Sequence, residues 1–251
     1  MADLGGRVAL VTGGGRGIGA ATSRRFGREG AALVLAALES APGGEVRDEI
    51  VATGGRALAV SCDVTSREDV EAAVSRAVGD FGSLDILVTC AGITRDNLIH
   101  KLSDEDWDSV IRTHLTGTFL CAQAAQREMV ARKRGAMVFL SSGSARGNRG
   151  QANYSAAKSG IEGLARTLAI ELGRFDIRVN VVAPGFIDTR MTRAIAERTG
   201  QDYGEITRAY AERLPLGRVG QADEIASVIA FFCGDDSGYV TGQTLHVRGA
   251  P

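Results

Sequence analysis

The chain has almost no net charge: 29 Lys and Arg stand against 30 Asp and Glu, giving −1 at pH 7. Nucleic-acid binding draws on clustered, uncompensated basic residues, so DNA or RNA is excluded as the main partner. Cysteine is sparse as well. Cys62, Cys90, Cys121 and Cys233 lie far apart and form no CxxC pair, which excludes a disulfide framework and reads as reduced thiols of a cytoplasmic protein. The three histidines, His100, His114 and His246, are scattered, so no zinc-site spacing exists and no metal is expected. No apolar run approaches the roughly 18 residues of a membrane span. The first apolar run, Val8-Ala9-Leu10-Val11, follows Met1 too closely to leave room for a signal peptide. Linkers rich in Pro or in Gly and Ser, internal repeats and low-complexity tracts are also missing, which points to one domain. Glycine alone is in excess: 33 of 251 residues, roughly twice the usual share. Such a chain needs many tight turns or close backbone approaches.

Short β-branched runs alternate with longer amphipathic stretches. Strands are expected at Val8–Thr12, Ala32–Ala36, Arg56–Ser61, Leu84–Thr89, Ala136–Ser141, Arg178–Val182 and Thr244–Val247. Most are apolar throughout, as in parallel strands buried on both faces. Helices are expected at Ile18–Arg28, Gly44–Thr53, Ser66–Phe81, Asp104–Arg132, Gln151–Arg174 and Gln221–Cys233. Ser66 and Ser103 precede early acidic residues and read as N-caps. This alternation specifies a single α/β domain over residues 1–251, a doubly wound parallel sheet of the Rossmann kind in three α/β/α layers. Residues 185–216 break the rhythm and read as a helical excursion, a substrate lid over the sheet's C-terminal edge.

Two motifs carry chemistry. The first strand runs into Thr12-Gly13-Gly14-Gly15-Arg16-Gly17-Ile18-Gly19. A glycine-dense turn between a first strand and a first helix lets backbone N–H groups and a positive dipole end approach a pyrophosphate; a plain tight turn is the alternative. Tyr154-Ser155-Ala156-Ala157-Lys158 places Tyr and Lys on one helical face. With 4 Tyr and three Lys in the chain, chance supplies about 0.05 such pairs. A phenol is a poor acid at neutral pH, and a neighbouring ammonium lowers its pKa by stabilising the phenolate. Upstream, a strand ends in Ser141-Ser142, where a hydroxyl can orient a carbonyl.

These motifs, with Asp63-Val64 after the third strand, Cys90-Ala91-Gly92 after the fourth, and Pro184-Gly185, resemble the short-chain dehydrogenase/reductase family over essentially the full length. Within it, Ala91 to Leu98, Gln151 to Tyr154 and Ala183 to Ile187 are most similar to the 3-oxoacyl-[acyl-carrier-protein] reductases. The resemblance implies that Tyr154 is the general acid and that Lys158 holds the nicotinamide ribose and depresses the phenol's pKa. It implies that a serine polarises the carbonyl: anchoring on the strand selects Ser142, the family's usual spacing to Tyr selects Ser141, and Ser142 is preferred. Gly13, Arg16, Gly17, Ile18, Gly19, Cys90, Ala91 and Gly92 would line the cofactor with Tyr154, Lys158, Pro184 and Gly185. Asp63 and Val64 would bracket the adenine, and Ile187 and Thr189 the carboxamide.

The chain departs from that family twice. Cys90 stands where the family has Asn, and His114 where it has an Asn thought to hold a proton-relay water. An imidazole donates, accepts and titrates near neutrality, so His114 either replaces that relay or is a packed histidine. The second strand ends Leu35-Ala36-Ala37-Leu38, without the acidic ribose anchor of NAD enzymes, and Arg16 can meet a 2′-phosphate. NADPH is therefore expected over NADH. Arg132, Lys133 and Arg174 end helices that the reading sets beside the site, where such residues would meet an acidic carrier protein; favourable dipole placement is the plain alternative. Asp104–Arg132 and Gln151–Arg174 resemble subunit-interface helices, which implies a homotetramer or a dimer. The function implied is an NADPH-dependent ketoreductase of 3-oxoacyl thioesters. A reductase of free ketones, alcohols, sugars or steroids, or an impaired nucleotide-binding member, are the alternatives.

Overall fold

The computed structural model of the protein describes residues 3–251. Apolar runs that cannot be left in water become strands with helices on both sides. In chain order these are β1 (Val8–Thr12), α1 (Gly17–Arg28), β2 (Ala32–Ala37), α2 (Ser40–Ala52), β3 (Arg56–Ser61), α3 (Arg67–Phe81), β4 (Ile86–Thr89), α4 (Asp104–Ile111), α5 (Gly117–Arg132), β5 (Gly135–Leu140), α6 (Ala152–Leu172) and β6 (Ile177–Pro184). There follow β7 (Ile187–Asp188), α7 (Arg190–Thr199), α8 (Tyr203–Ala211), β8 (Gly220–Gln221), α9 (Ala222–Cys233) and β9 (Thr244–Val247). Seven strands form a parallel sheet in the order β3-β2-β1-β4-β5-β6-β9.

Period-two alternation divides β1 between two cores. Val8 and Leu10 pack into one layer with Leu120, Met129 and Ile161. Ala9 and Val11 pack into the other with Phe26, Ile225 and Ile229. The expected three-layer Rossmann fold is therefore the one observed. Thr12 pairs with Ala36 on one side and Thr89 on the other, so the turn after β1 opens beside the ends of β2 and β4.

Several boundaries differ from the sequence reading. Helix Asp104–Arg132 is not continuous: a π-helical turn at Arg112–Thr116 separates α4 from α5 and carries His114. Helix α6 stops at Leu172, and a 3₁₀ turn over Gly173–Phe175 follows. Helix α2 begins at Ser40 rather than Gly44, since Pro42 falls in its first turn, where no intrahelical N–H is required. Ser66 and Ser103 cap α3 and α4, accepting from the N–H groups of Asp69 and Asp106. The excursion at 185–216 contains β7, α7 and α8, and β7 pairs with β8 to anchor its base.

The basic residues Arg132, Lys133 and Arg174 require a correction. Arg132 and Lys133 immediately precede β5, and Arg174 lies in the turn before β6. In a parallel sheet, helix C-termini lead back to the strands' N-terminal edge. The catalytic motifs stand at the opposite edge, about 20 Å away along a six-residue strand. These three residues are therefore not beside their own chain's site. Arg132 instead approaches Asp85 at 3.9 Å, and Arg174 lies over the Phe175 ring.

Candidate active site

The glycine turn is built by steric demand. Gly13 (φ +64°) and Gly17 (φ +51°) occupy left-handed backbone. A Cβ at Gly13 would stand 2.9 Å from the Ala91 nitrogen, and one at Gly15 2.6 Å from the Gly43 nitrogen. The turn is thus pressed between the segment after β4 and the first turn of α2. Helix α1 starts from it with Arg16 as N-cap, no side chain capping it and no acidic residue in its first turn. Those uncapped N–H groups and the positive dipole end suit a pyrophosphate. A Cβ at Gly17 would meet the Thr189 side chain at 3.7 Å, so the lid's base adjoins the same turn. The residues around it therefore fit a dinucleotide.

The C-terminal ends of β4 and β5 and the start of α6 form the other half of the site. Lys158 is buried and donates from Nζ to the Leu140 carbonyl at 2.6 Å. The same nitrogen lies 5.4 Å from the Tyr154 ring centroid. Burial pulls the Lys158 ammonium down to about 8. Burial also pushes the Tyr154 phenol up to about 12, with the Ser142 hydroxyl hydrogen-bonded to it acting downward and the Asp96 carboxylate upward. Lys158 is not among the groups that shift the phenol, contrary to the expected depression. At neutral pH Tyr154 is a protonated donor.

The two serines are placed very differently. Ser141 is buried and donates to the Lys158 carbonyl at 3.2 Å and to Glu162 Oε1 at 2.9 Å, so its hydroxyl is turned into α6. Ser142 faces Tyr154 and accepts from the Ser144 N–H at 3.1 Å.

His114 is buried, its ring edge-on to Tyr154 with centroids 5.1 Å apart. Nε2 lies 2.8 Å from the Ile93 carbonyl and 3.1 Å from the Ile93 nitrogen. We assign the proton to Nε2 on the shorter contact, which leaves Nδ1 a lone-pair acceptor, buried and with no protein partner. Burial first, then the Lys158 charge, lowers the imidazole to about 3. A Cβ on Gly92 would collide with this ring, so only glycine fits there.

A family described as enoyl-(acyl carrier protein) reductase matches residues 13–249. The short-chain reductase protein NovJ of Streptomyces niveus is 44% identical over 242 residues, covering 96% of this chain and 92% of that protein. The 3-oxoacyl-[acyl-carrier-protein] reductase FabG of Escherichia coli is 40% identical over 245 residues, covering 97% and 96%. The chain belongs to the short-chain dehydrogenase/reductase family. The crystal structure of levodione reductase superposes with a TM-score of 0.94 at 32% identity, covering 98% of this chain and 97% of that one. The protein is an oxidoreductase of the C=O/CH–OH class.

The remaining residues expected of a short-chain dehydrogenase/reductase are placed as follows. The Cys90 N–H donates to the Thr12 carbonyl, holding β4's end against the glycine turn, and burial pushes its thiol up to about 12, so it is an inert packing group. Asp63 accepts from the Thr65 N–H at 2.8 Å, and Val64 is buried against Gly117. Pro184 ends β6, Gly185 donates to the Val247 carbonyl, and Thr189 caps α7. Arg16 is already engaged: its guanidinium bonds Glu39 at 2.7 Å, both side chains being largely exposed. The sequence alone gives no role to Asp96 and Asn153, and Glu39 stands in it only as the first acidic residue after the second strand. An Asn directly before the Tyr carries no signal of its own. Among the described residues, no group of three or more His, Cys, Asp or Glu could hold a metal, and no helix is long and apolar enough to cross a membrane.

Proposed function

We propose that the protein is an NADPH-dependent ketoreductase that reduces a 3-oxoacyl thioester to the 3-hydroxyacyl product. The observation carrying this reading is Tyr154, protonated at neutral pH, flanked by Ser142 and Lys158 at the sheet edge where the glycine turn opens. Similarity to a 3-oxoacyl-[acyl-carrier-protein] reductase supports the substrate class. When bound, the nicotinamide supplies a hydride to the carbonyl carbon. Gly13, Arg16, Gly17, Ile18 and Gly19 would hold the phosphates, Asp63 and Val64 would bracket the adenine, Cys90, Ala91 and Gly92 would line the cofactor, and Pro184, Gly185, Ile187 and Thr189 would stand at the nicotinamide end. Ser142 donates a hydrogen bond to the substrate oxygen. Tyr154 gives its proton to that oxygen as negative charge develops there, acting chiefly in the transition state. The Lys158 ammonium, 5.4 Å from the Tyr154 ring centroid, would bond the cofactor ribose beside the phenol. Neutral His114 accepts, at Nδ1, from a water that returns protons towards Lys158.

The excursion at 185–216 acts as the substrate lid, and the enzyme works in the cytoplasm. Exposed Trp107 and Phe119 on α4 and α5, and Ile170 on α6, suit the faces of a homotetramer or dimer. The likeness to levodione reductase favours a second reading, reduction of a free ketone. NADPH oxidation measured with acetoacetyl and crotonyl thioesters and a panel of simple ketones decides among these. Turnover of the acetoacetyl thioester alone supports the proposal. Turnover confined to the crotonyl thioester or the simple ketones overturns it, and no turnover leaves a nucleotide-binding protein.

A further inference from the structure

Asn153, the residue before Tyr154, is fully buried, with a relative exposure of 0%. Its side-chain amide donates to two carbonyls from different segments, Arg95 in the loop after β4 at 3.0 Å and Asp106 in α4 at 3.1 Å. Its Oδ1 accepts the backbone N–H of Tyr154 itself at 2.8 Å. That N–H belongs to the first turn of α6, where intrahelical partners do not exist and where Gln151, the N-cap, contributes no side-chain bond. Asn is suited to this role because it combines two donors and an acceptor in a short, uncharged group. Asp offers no donor when ionised, and Ser offers only one.

A second tie joins the same segments. Gln151 Nε2 donates to Asp96 Oδ2 at 3.0 Å, and the Asn97 N–H donates to the Gly150 carbonyl at 2.8 Å. The loop after β4, the start of α4 and the start of α6 are therefore tied to one another around the phenol. The loop carries Ile93, the partner of His114, and Asp96, which acts on Tyr154.

From this geometry we infer that Asn153 is a positioning residue, which holds the Tyr154 hydroxyl in line with the substrate oxygen by pinning its backbone to the β4–α4 loop and to α4. The inference rests on Tyr154 as the proton donor. Misplacement of a reacting group by about 1 Å costs up to about 100-fold in rate. Asn153→Ala is thus expected to lower kcat by about 10- to 100-fold, with Asn153→Ser between it and wild type. NADPH affinity should stay within about twofold, because no cofactor-binding group is removed.

The experiment measures kcat for the ketone or thioester that wild type reduces, in H₂O and in D₂O, together with NADPH binding by fluorescence. If Asn153 aims the proton donor, proton transfer becomes more rate-limiting in Asn153→Ala, and its solvent isotope effect exceeds wild type's. A kcat within twofold of wild type, or a fall in kcat with an unchanged isotope effect, overturns the inference. Loss of NADPH binding in both the Ala and Ser variants also overturns it, assigning Asn153 to holding the fold. Tyr154→Phe, run in parallel, keeps the two readings separable. Near wild-type turnover in that variant defeats the proton-donor assignment itself, whereas an inactive Phe variant beside an unaffected Asn153→Ala defeats only the positioning role.

Discussion

The His114 ring stands edge-on to Tyr154, the centroids 5.1 Å apart and the planes at 85°. Tyr154 packs against it and the Lys158 charge reaches it, with Cys90 acting on Lys158. This crowded, dry setting holds the imidazole neutral down to about pH 3. A histidine that titrates just below its ordinary value, the reading its type invites, does not describe this side chain. Reduction by wild type should therefore show no acid limb attributable to His114 between about pH 5 and pH 7. His114→Asn should leave that part of the kcat profile unchanged in shape.

Stability tells the complementary story. The unfolded chain takes up a proton at His114 below about pH 6.5, whereas the folded chain does not until about pH 3. Across that window the unfolded state binds more protons, so folded stability falls as the pH drops. His114→Asn removes this contribution. The loss of Tm on moving from about pH 7 to about pH 4.5 should be smaller in the variant. Thermal unfolding of both proteins at the two pH values measures it; equal losses would mean that the imidazole is already protonated in the folded state.

The two adjacent serines are expected to separate cleanly. Ser142→Ala removes the hydroxyl that faces Tyr154 and should lower kcat by about 100-fold, on the scale of a lost oxyanion donor, with NADPH binding kept. Ser141→Ala breaks a buried bond to Glu162 and one to the Lys158 carbonyl. It should cost about 1–3 kcal/mol of stability with a smaller effect on rate. Steady-state kinetics and denaturant unfolding on both variants test the pair. A larger kcat loss in the Ser141 variant would reverse the assignment.

The legible and illegible parts of this protein differ physically. Continuous apolar runs such as Val8–Thr12 have no option but burial on both faces, so the parallel sheet was readable, as was a turn whose glycines face backbone at contact distance. The π-helical turn at Arg112–Thr116 was not, because one extra residue in a helical repeat hardly disturbs the apolar periodicity. Arg132, Lys133 and Arg174 were misplaced because charge type carries no information about which sheet edge a helix end reaches. The pairing of Arg16 with Glu39 and the threefold bonding of Asn153 are tertiary facts between segments remote in sequence. The phenol's high pKa is likewise a burial effect, whereas the motif alone shows only the neighbouring ammonium.

Lys158 gives a prediction at the opposite end of the pH scale. Its ammonium loses its proton near pH 8 rather than 10.5. Above that value the positive charge that would hold the cofactor ribose beside Tyr154 is lost, so the reduction rate should fall on a basic limb centred near 8, with Tyr154 still protonated up to about 12. Lys158→Arg, whose guanidinium stays charged, should remove the limb even if its maximum rate is lower. A wild-type rate that stays flat to pH 10 would show that the ammonium is not needed in the rate-limiting step.

Cofactor choice turns on the exposed pair of Arg16 and Glu39, 2.7 Å apart at the end of β2. Exposed ion pairs contribute about 0–1 kcal/mol, so a 2′-phosphate can draw Arg16 away at little cost. The Glu39 carboxylate remains nearby, however, and repels that phosphate while offering acceptors to the hydroxyls of an unphosphorylated ribose. The two side chains therefore pull the preference in opposite directions. Wild type should bind NADPH several-fold more tightly than NADH, a modest ratio. Arg16→Gln should weaken NADPH by about tenfold and leave NADH nearly unchanged, since a charge-assisted bond of about 1.5 kcal/mol is lost only to the phosphate. Glu39→Gln should act the other way, tightening NADPH by several-fold while weakening NADH. Fluorescence titration of both nucleotides against the three proteins tests the scheme. Equal affinities in wild type, or a Glu39→Gln variant whose preference does not move towards NADPH, would show that the specificity of this site is read elsewhere.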